Sequence, residues 1–122
     1  MPKAKRDKIR EERISMEIIV DAYDSEEQAM GWYYYLEEKL HFPFLAKCIA
    51  VRAISPLRKG DEVQVVGMAP EDECRHEMYV AMPWERHTLC VPLSQLKGIQ
   101  VDEETQEAIE DWRYWVEQGY EL

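Results

Sequence analysis

Three consecutive acids, Glu71, Asp72 and Glu73, are the residues whose types and spacing most clearly indicate a chemistry. They lie in a polar stretch, residues 67–75, which we predict to be a loop in which no helix begins. Ca²⁺ takes about six to eight oxygen ligands from carboxylates, backbone carbonyls and water, in a flexible geometry. A loop dense in carboxylates supplies such ligands, so these residues, the 71–73 acids, are the leading candidates for a calcium site.

Two other acidic clusters are weaker candidates because ordinary helix formation explains them. Asp21 and Asp24, the joint acids, lie where two predicted helices meet, and three more acids begin the last predicted helix. These three are Asp102, Glu103 and Glu104, the 102–104 acids. Acids in the first turn of a helix complement the positive end of its dipole. No segment has the alternating acids, central glycine and distant glutamate of an EF-hand loop, so we expect a site of another kind.

The charge balance points to cationic partners. The chain has 25 acids and 15 bases, a formal net charge of −10. Six bases and three acids lie in the first thirteen residues, so that segment carries +3 and the remaining 109 residues carry −13. Such a body attracts cations or basic partners to its surface. Nucleic-acid binding needs clustered Lys and Arg to contact phosphates, so we expect no nucleic-acid partner.

Other site chemistries find little support in the sequence. Cys48, Cys74 and Cys90 are widely spaced, whereas structural zinc ligands usually come in pairs two to four residues apart. Cys74 and His76 do not have a recognised ligand spacing. The histidines are scattered with no nucleophile beside them, and no glycine-rich phosphate loop is present. We therefore expect a protein that is not an enzyme.

Cysteine usage and hydropathy predict a cytoplasmic protein. Three widely spaced cysteines suit a reducing compartment better than a disulfide framework. No run approaches the roughly 18 apolar residues that cross a bilayer, and no apolar signal segment follows the basic N-terminus. We expect neither a membrane span nor secretion.

Helices are predicted at both ends of the chain. Apolar residues recur at helical spacing over 3–23 and again from 24 to about 40. Asp24 followed by Glu27 is a capping-box pattern at the start of the second helix. Gly31 inside that helix indicates a close packing contact, because glycine otherwise costs about 1 kcal/mol there. Asp102 is the expected N-cap of a last helix that ends near residue 118, with Gly119 after it.

The middle of the chain has the period of strands. Residues 44–51 predict a strand buried on much of both faces, and residues 62–65 predict a half-exposed strand. Further strands are predicted at 78–84, 88–91 and 99–101, with a helical turn before the last. These lengths and turns favour an α+β fold, a small SH3-like antiparallel β-barrel of about five strands flanked by two N-terminal helices and one C-terminal helix.

The length favours one domain over residues 1–122. Its expected parts are a helical N-terminal part at 1–41, a barrel at 42–101 and the last helix at 102–122.

Several segments together resemble a known family. The most specific is Gly31-Trp32-Tyr33-Tyr34-Tyr35-Leu36-Glu37. The others are residues 10–14, 17–23, 29–30, 42–44, 54–57, 59–61, 91–93 and 108–112. With these segments the chain resembles, over nearly its whole length, the small acidic calcium-binding proteins of the CcbP type, first associated with filamentous cyanobacteria.

The resemblance implies calcium binding through an acidic surface without an EF-hand, and a role in calcium buffering or signalling. Ca²⁺ is then the expected bound ion and a divalent cation the expected partner. The alternative is a metal-independent protein-interaction module, in which a barrel groove and exposed tyrosines bind a basic or proline-rich partner that the sequence does not identify.

Overall fold

Three α-helices and six β-strands make up the computed structural model of the chain, which describes residues 7–122. The helices are α1 (Lys8–Arg13), α2 (Ser25–Lys39) and α3 (Glu103–Glu117). The strands are β1 (Phe44–Cys48), β2 (Glu62–Val65), β3 (Gly67–Met68), β4 (Tyr79–Trp84), β5 (His87–Pro92) and β6 (Leu96–Ile99). The predicted α+β class is confirmed.

The first helix is shorter than the predicted span of 3–23. It begins at Lys8 with Asp7 as N-cap, and after Arg13 it continues as a π-helical turn, Ile14–Ile18. Residues 3–6 of the predicted helix lie outside the described residues. The helix does not run on to residue 23, because the π-helical turn ends at Ile18 and Asp21 has a left-handed φ of 58°.

The second helix begins as predicted. The Asp24 carboxylate accepts a hydrogen bond from the Glu27 N–H at 2.8 Å, and the Glu27 carboxylate accepts one from the Tyr23 N–H at 3.2 Å. Both side chains therefore satisfy N–H groups that a helix start leaves unpaired.

Gly31 makes the close packing contact that its position indicated. A Cβ atom at this residue would lie 2.4 Å from the carbonyl oxygen of Ile18. Only a glycine therefore lets α2 pack this closely against the π-helical turn.

The strands form two three-stranded antiparallel sheets, in the orders β2-β1-β6 and β3-β4-β5. The chain passes from one sheet to the other between β2 and β3, where the Val66 N–H bonds to the Ala81 carbonyl. The predicted SH3-like barrel of about five strands is not confirmed, since the described residues form six strands and no closed barrel. Two of these strands lie partly or wholly outside the predicted bounds, because β3 falls in the predicted loop 67–75 and the last strand begins at Leu96.

The strand predicted at 44–51 differs in burial. β1 ends at Cys48, and its residues alternate between buried and exposed. Leu45 is 52% exposed, so the strand has one solvent face rather than two buried faces. The sequence did not predict this exposure, because an apolar residue, Leu45, occupies a solvent-facing position of the strand.

The core joins the helices to both sheets. Trp32 of α2 and Trp112 of α3 are fully buried, with ring centroids 5.0 Å apart, and Trp115 packs on both rings. The four consecutive aromatics of α2 do not all face this core: Tyr34 is 51% exposed.

A buried carboxylate attaches α1 to the other helices. The Asp111 side chain is fully buried, and it accepts hydrogen bonds from the Arg13 guanidinium at 2.6 Å and from the Tyr35 hydroxyl at 2.7 Å. Arg10 lies 3.2 Å away. The hydrogen bond to Asp111 raises the pKa of Arg13, and burial together with Asp111 raises the pKa of Tyr35. α1 itself has no buried residues, so polar contacts attach it to α3: this one, and the hydrogen bond that the Tyr114 hydroxyl donates to the Glu11 carboxylate at 3.1 Å.

None of the helices described has the length and apolar content that a bilayer span requires.

Replacing Asp111 with Ala is expected to lower the free energy of unfolding by about 3 kcal/mol, because it leaves two partly buried guanidinium groups without their carboxylate. Urea denaturation measures the change, with Glu12→Gln, an exposed acid of the same helical region, as the control near zero. A loss below about 1 kcal/mol would show that the contact contributes little to the attachment of α1.

Gly31→Ala is expected to destabilise the protein by about 2 kcal/mol, although alanine normally stabilises a helix interior. The reason is the clash with the backbone of Ile18. In the control, Gly67→Ala, the new methyl group has open space and the unfolding midpoint should hardly move. Equal midpoints for the two variants would contradict the close approach.

Candidate metal centre

The 71–73 acids occupy a short 3₁₀ turn, Glu71–Cys74, where no helix was predicted. The three acidic side chains are exposed, whereas Cys74 at the end of the turn is buried and its Sγ accepts a hydrogen bond from the Tyr79 N–H. Burial raises the pKa of the Cys74 thiol to about 11, so this thiol stays protonated and anchors the turn as an apolar group.

A cavity of about 580 Å³ brings this turn together with the first turn of α2. Glu71 and Asp72 line it from one side, and Ser25 and Glu26 line it from the other. Ala29, Met30, Tyr33 and Cys74 complete the apolar part of the lining, with Arg75 and His76 at its polar part. Acids from two segments that are far apart in the sequence thus face one space.

Two tyrosines of α2 hold the turn in place. The Tyr33 hydroxyl donates a buried hydrogen bond to the Ala69 carbonyl at 2.7 Å. The Tyr34 hydroxyl donates to the Glu71 carboxylate at 3.3 Å. Desolvation, followed by the nearby Glu71, raises the pKa of Tyr34. The turn therefore depends on α2 for its position.

The side chains that line this cavity include oxygen donors of the kind that bind a hard cation. Carboxylates and a serine hydroxyl are oxygen donors of the type that Ca²⁺ takes, and the cavity has room for water to complete the coordination. Within residues 7–122, however, no three carboxylate, imidazole or thiolate side chains are grouped closely enough to hold a metal ion. The arrangement gathers donors around a space without forming a complete set of ligands.

The joint acids are not gathered at this cavity. Asp24 is the N-cap of α2 and is bonded to the Glu27 N–H, and Asp21 is exposed at the left-handed turn before it. Helix capping, rather than metal binding, therefore accounts for Asp24. Glu26 belongs to the same acidic stretch and lines the cavity, although it is not among the ligands that the sequence analysis selects.

The 102–104 acids lie elsewhere, at the start of α3, and two of them already have basic partners. His41 contacts Asp102 through Nδ1 and lies 2.7 Å from Glu104 through Nε2. Lys39 lies 3.6 Å from Glu104. The Asp102 backbone caps α3 as predicted, but its side chain makes no capping hydrogen bond.

The pKa values of this group reflect the pairing. The hydrogen bond to Asp102, followed by the bond to Glu104, raises the pKa of His41 above its ordinary value. The neighbouring Thr105 and His41 lower the pKa of the Asp102 carboxyl. A cation would have to compete with the imidazolium for these carboxylates.

The cysteines do not assemble a metal site. Cys48 and Cys74 are buried, Cys90 is partly buried and His76 is exposed. Burial raises the pKa of the Cys90 thiol as well, which disfavours the thiolate that zinc requires.

Comparison with known proteins identifies clear relatives. The model of the CcbP family, described as calcium binding, matches residues 12–116. The crystal structure of Anabaena CcbP is 46% identical, with a TM-score of 0.87 and complete coverage of both chains. A calcium-binding protein in its calcium-binding form is 44% identical, with a TM-score of 0.83 and the same coverage. The search of curated proteins found no match.

His41→Gln is expected to destabilise the protein below about pH 6.5 and to have little effect at high pH. The folded-state pKa of His41 is raised, so its stabilisation is complete below the unfolded pKa and disappears as the pH rises through the folded pKa. Below about pH 4 the effect should fall again, because the carboxylates become protonated.

Thermal unfolding of the wild type and the variant from about pH 3 to about pH 9 tests this expectation, since the range spans both the carboxylate and the imidazole titrations. His87→Gln, an exposed histidine in β5, is the matched control. A difference in midpoint that does not change with pH would contradict the ion pair.

Proposed function

The chain belongs to the CcbP family of calcium-binding proteins, which are not enzymes, and we propose that its Ca²⁺ binds in the cavity between α2 and the 3₁₀ turn. Glu71 and Asp72 of the turn and Glu26 of α2 are the proposed ligands. Ser25, a backbone carbonyl or water supplies further oxygen atoms. Glu71 and Asp72 of the 71–73 acids thus remain the leading candidates, joined by one residue of the neighbouring helix, whereas Glu73 does not line the cavity.

The observation that carries this proposal is the shared lining of the cavity by carboxylates from two elements. The other acidic clusters are less available. The Asp24 carboxylate caps a helix, and two of the 102–104 acids face His41 and Lys39. Calcium binding at those clusters would break contacts that stabilise the fold. Binding in the cavity between α2 and the turn would break only the Tyr34–Glu71 hydrogen bond.

Ion binding at this cavity requires the carboxylates to converge. Like charges repel one another at short range, so three carboxylates stay apart until a divalent cation neutralises them. The proposed site is therefore completed by the ion. Glu71, Asp72 and Glu26 are exposed side chains, and they can change rotamer at little cost to the core.

Such a site has modest and salt-sensitive affinity. Exposed ligands are neither rigid nor dehydrated, and the Debye length of about 8 Å at physiological salt screens their attraction for the ion. We propose a buffering or signalling role inside the cell, in the cytoplasm, because a site of this kind releases its ion readily.

We expect Glu71→Gln combined with Asp72→Asn to weaken calcium binding at least tenfold, about 1.4 kcal/mol, because it removes two of three proposed carboxylate ligands. Isothermal titration calorimetry measures the affinity, with magnesium titrated under the same conditions. Calcium at 100 times its dissociation constant should also stabilise the wild type by about 2.7 kcal/mol, and the double variant should lose most of this gain.

Glu103→Gln combined with Glu104→Gln is the matched control, since it removes the same charge from another acidic cluster. Unchanged affinity in the first pair together with a tenfold loss in the control would move the site to the start of α3. A wild-type response to calcium no larger than that to magnesium would exclude specific binding in this member of the family.

A further inference from the structure

The solvent face of the β2-β1-β6 sheet has an apolar centre. Leu45, 52% exposed, lies at the middle of this face, with Gln64 opposite it on β2 and Ile99 opposite it on β6. Directly opposed residues of antiparallel strands share a face, so these three side chains are neighbours. A depression of about 440 Å³ lies over them, and Pro43 and Val101 line its edge.

The two ends of this face carry opposite charges. At one end Lys47 and Lys97 lie directly opposite each other on neighbouring strands, with Glu62 on the other side of Lys47. Two lysines and one glutamate leave this end with +1. Opposed like charges destabilise a strand pair, so both lysines would gain from an acidic partner.

The other end is acidic. Asp102 and His41 line the same depression as Leu45 and Ile99, and Glu104 is bonded to His41. With Glu103 and Lys39 included, three carboxylates face one lysine and one histidine, so this end is negative whether or not His41 is protonated.

A face that is basic at one end, apolar in the middle and acidic at the other is complementary to itself. A two-fold rotation about its centre places the lysines of one copy against the acids of the other and Leu45 against its counterpart. Two-fold interfaces use the same patch on both subunits, which is the arrangement that this charge distribution allows. We propose that the outer face of the β2-β1-β6 sheet binds a second copy of this chain.

The size of the face limits the strength of this dimer. Three strands of up to five residues cover about 14 by 17 Å, or roughly 250 Å², to which the rim residues add. A standard interface buries about 800 Å² on each partner, so the dimer is weak and concentration-dependent. The net charge of −10 opposes it at low salt. Physiological salt screens this long-range repulsion more than the charge pairs in contact.

Sedimentation equilibrium in physiological salt tests the proposal, from about 10 µM to about 1 mM, the range in which so small an interface would dissociate. A calcium chelator keeps the result independent of the proposed metal site. The wild type should rise from its monomer mass of 14.5 kDa towards twice that value, and Leu45→Glu should stay at 14.5 kDa throughout. Ile9→Glu, at a residue 77% exposed on α1, is the control and should behave as the wild type.

A charge exchange gives an independent readout. Lys47→Glu with Lys97→Glu forms one variant, and Asp102→Lys with Glu104→Lys forms the other. Each should be monomeric alone, whereas an equimolar mixture should dimerise, because both ends of the mixed pair then attract. Circular dichroism establishes that both variants are folded before mixing.

Three outcomes would overturn the proposal. They are a wild type that remains monomeric to 1 mM, a Leu45→Glu variant that dimerises like the wild type, and two folded charge variants that do not associate when mixed.

Discussion

The buried carboxylate of Asp111 is the interaction on which the arrangement of the helices depends. It belongs to α3, receives hydrogen bonds from Arg13 just before the π-helical turn and from Tyr35 of α2, and lies beside Arg10. A charge without these partners would be very costly to bury, so Asp111 couples the positions of the three helices. The placement of α2 also determines which residues lie opposite its N-terminal end. That end faces the 3₁₀ turn across the cavity.

The excess of acids divides into carboxylates that stabilise the fold and carboxylates that remain exposed. Asp24 and Glu27 cap α2, Glu77 is held by Arg52 at 2.8 Å, and Asp111 joins the helices. Clustering in the sequence does not separate these two kinds. What separates them is whether a backbone N–H or a basic side chain already pairs with the carboxylate. At the cavity between α2 and the turn, Glu71 accepts a hydrogen bond from the neutral Tyr34 hydroxyl, and this distinction selects the cavity for the proposed calcium ion.

Strand pairing and the start of α3 together give the solvent face of the β2-β1-β6 sheet its character. The pairing of β1 with β6 sets two lysines opposite each other, and the start of α3 sets an acidic group at the opposite end of the face. Neither end is distinctive alone. Their separation by Leu45 and Ile99 makes the surface complementary to itself, and it lies apart from the proposed metal site, so that calcium binding and self-association can be measured separately.

The sequence by itself determined the local features and the family. It located α2 and α3 with their caps, the close contact at Gly31 and most of the strands, because backbone preferences and apolar period act over a few residues. It did not determine the two separate sheets, the exposure of Leu45 or the partners of each acid. Tyr35 and Asp111 are 76 residues apart and His41 and Asp102 are 61 apart, and such contacts depend on how whole elements pack. Only the tertiary structure brings Glu26 to the same cavity as Glu71 and Asp72, because they belong to elements with no local relation in the chain.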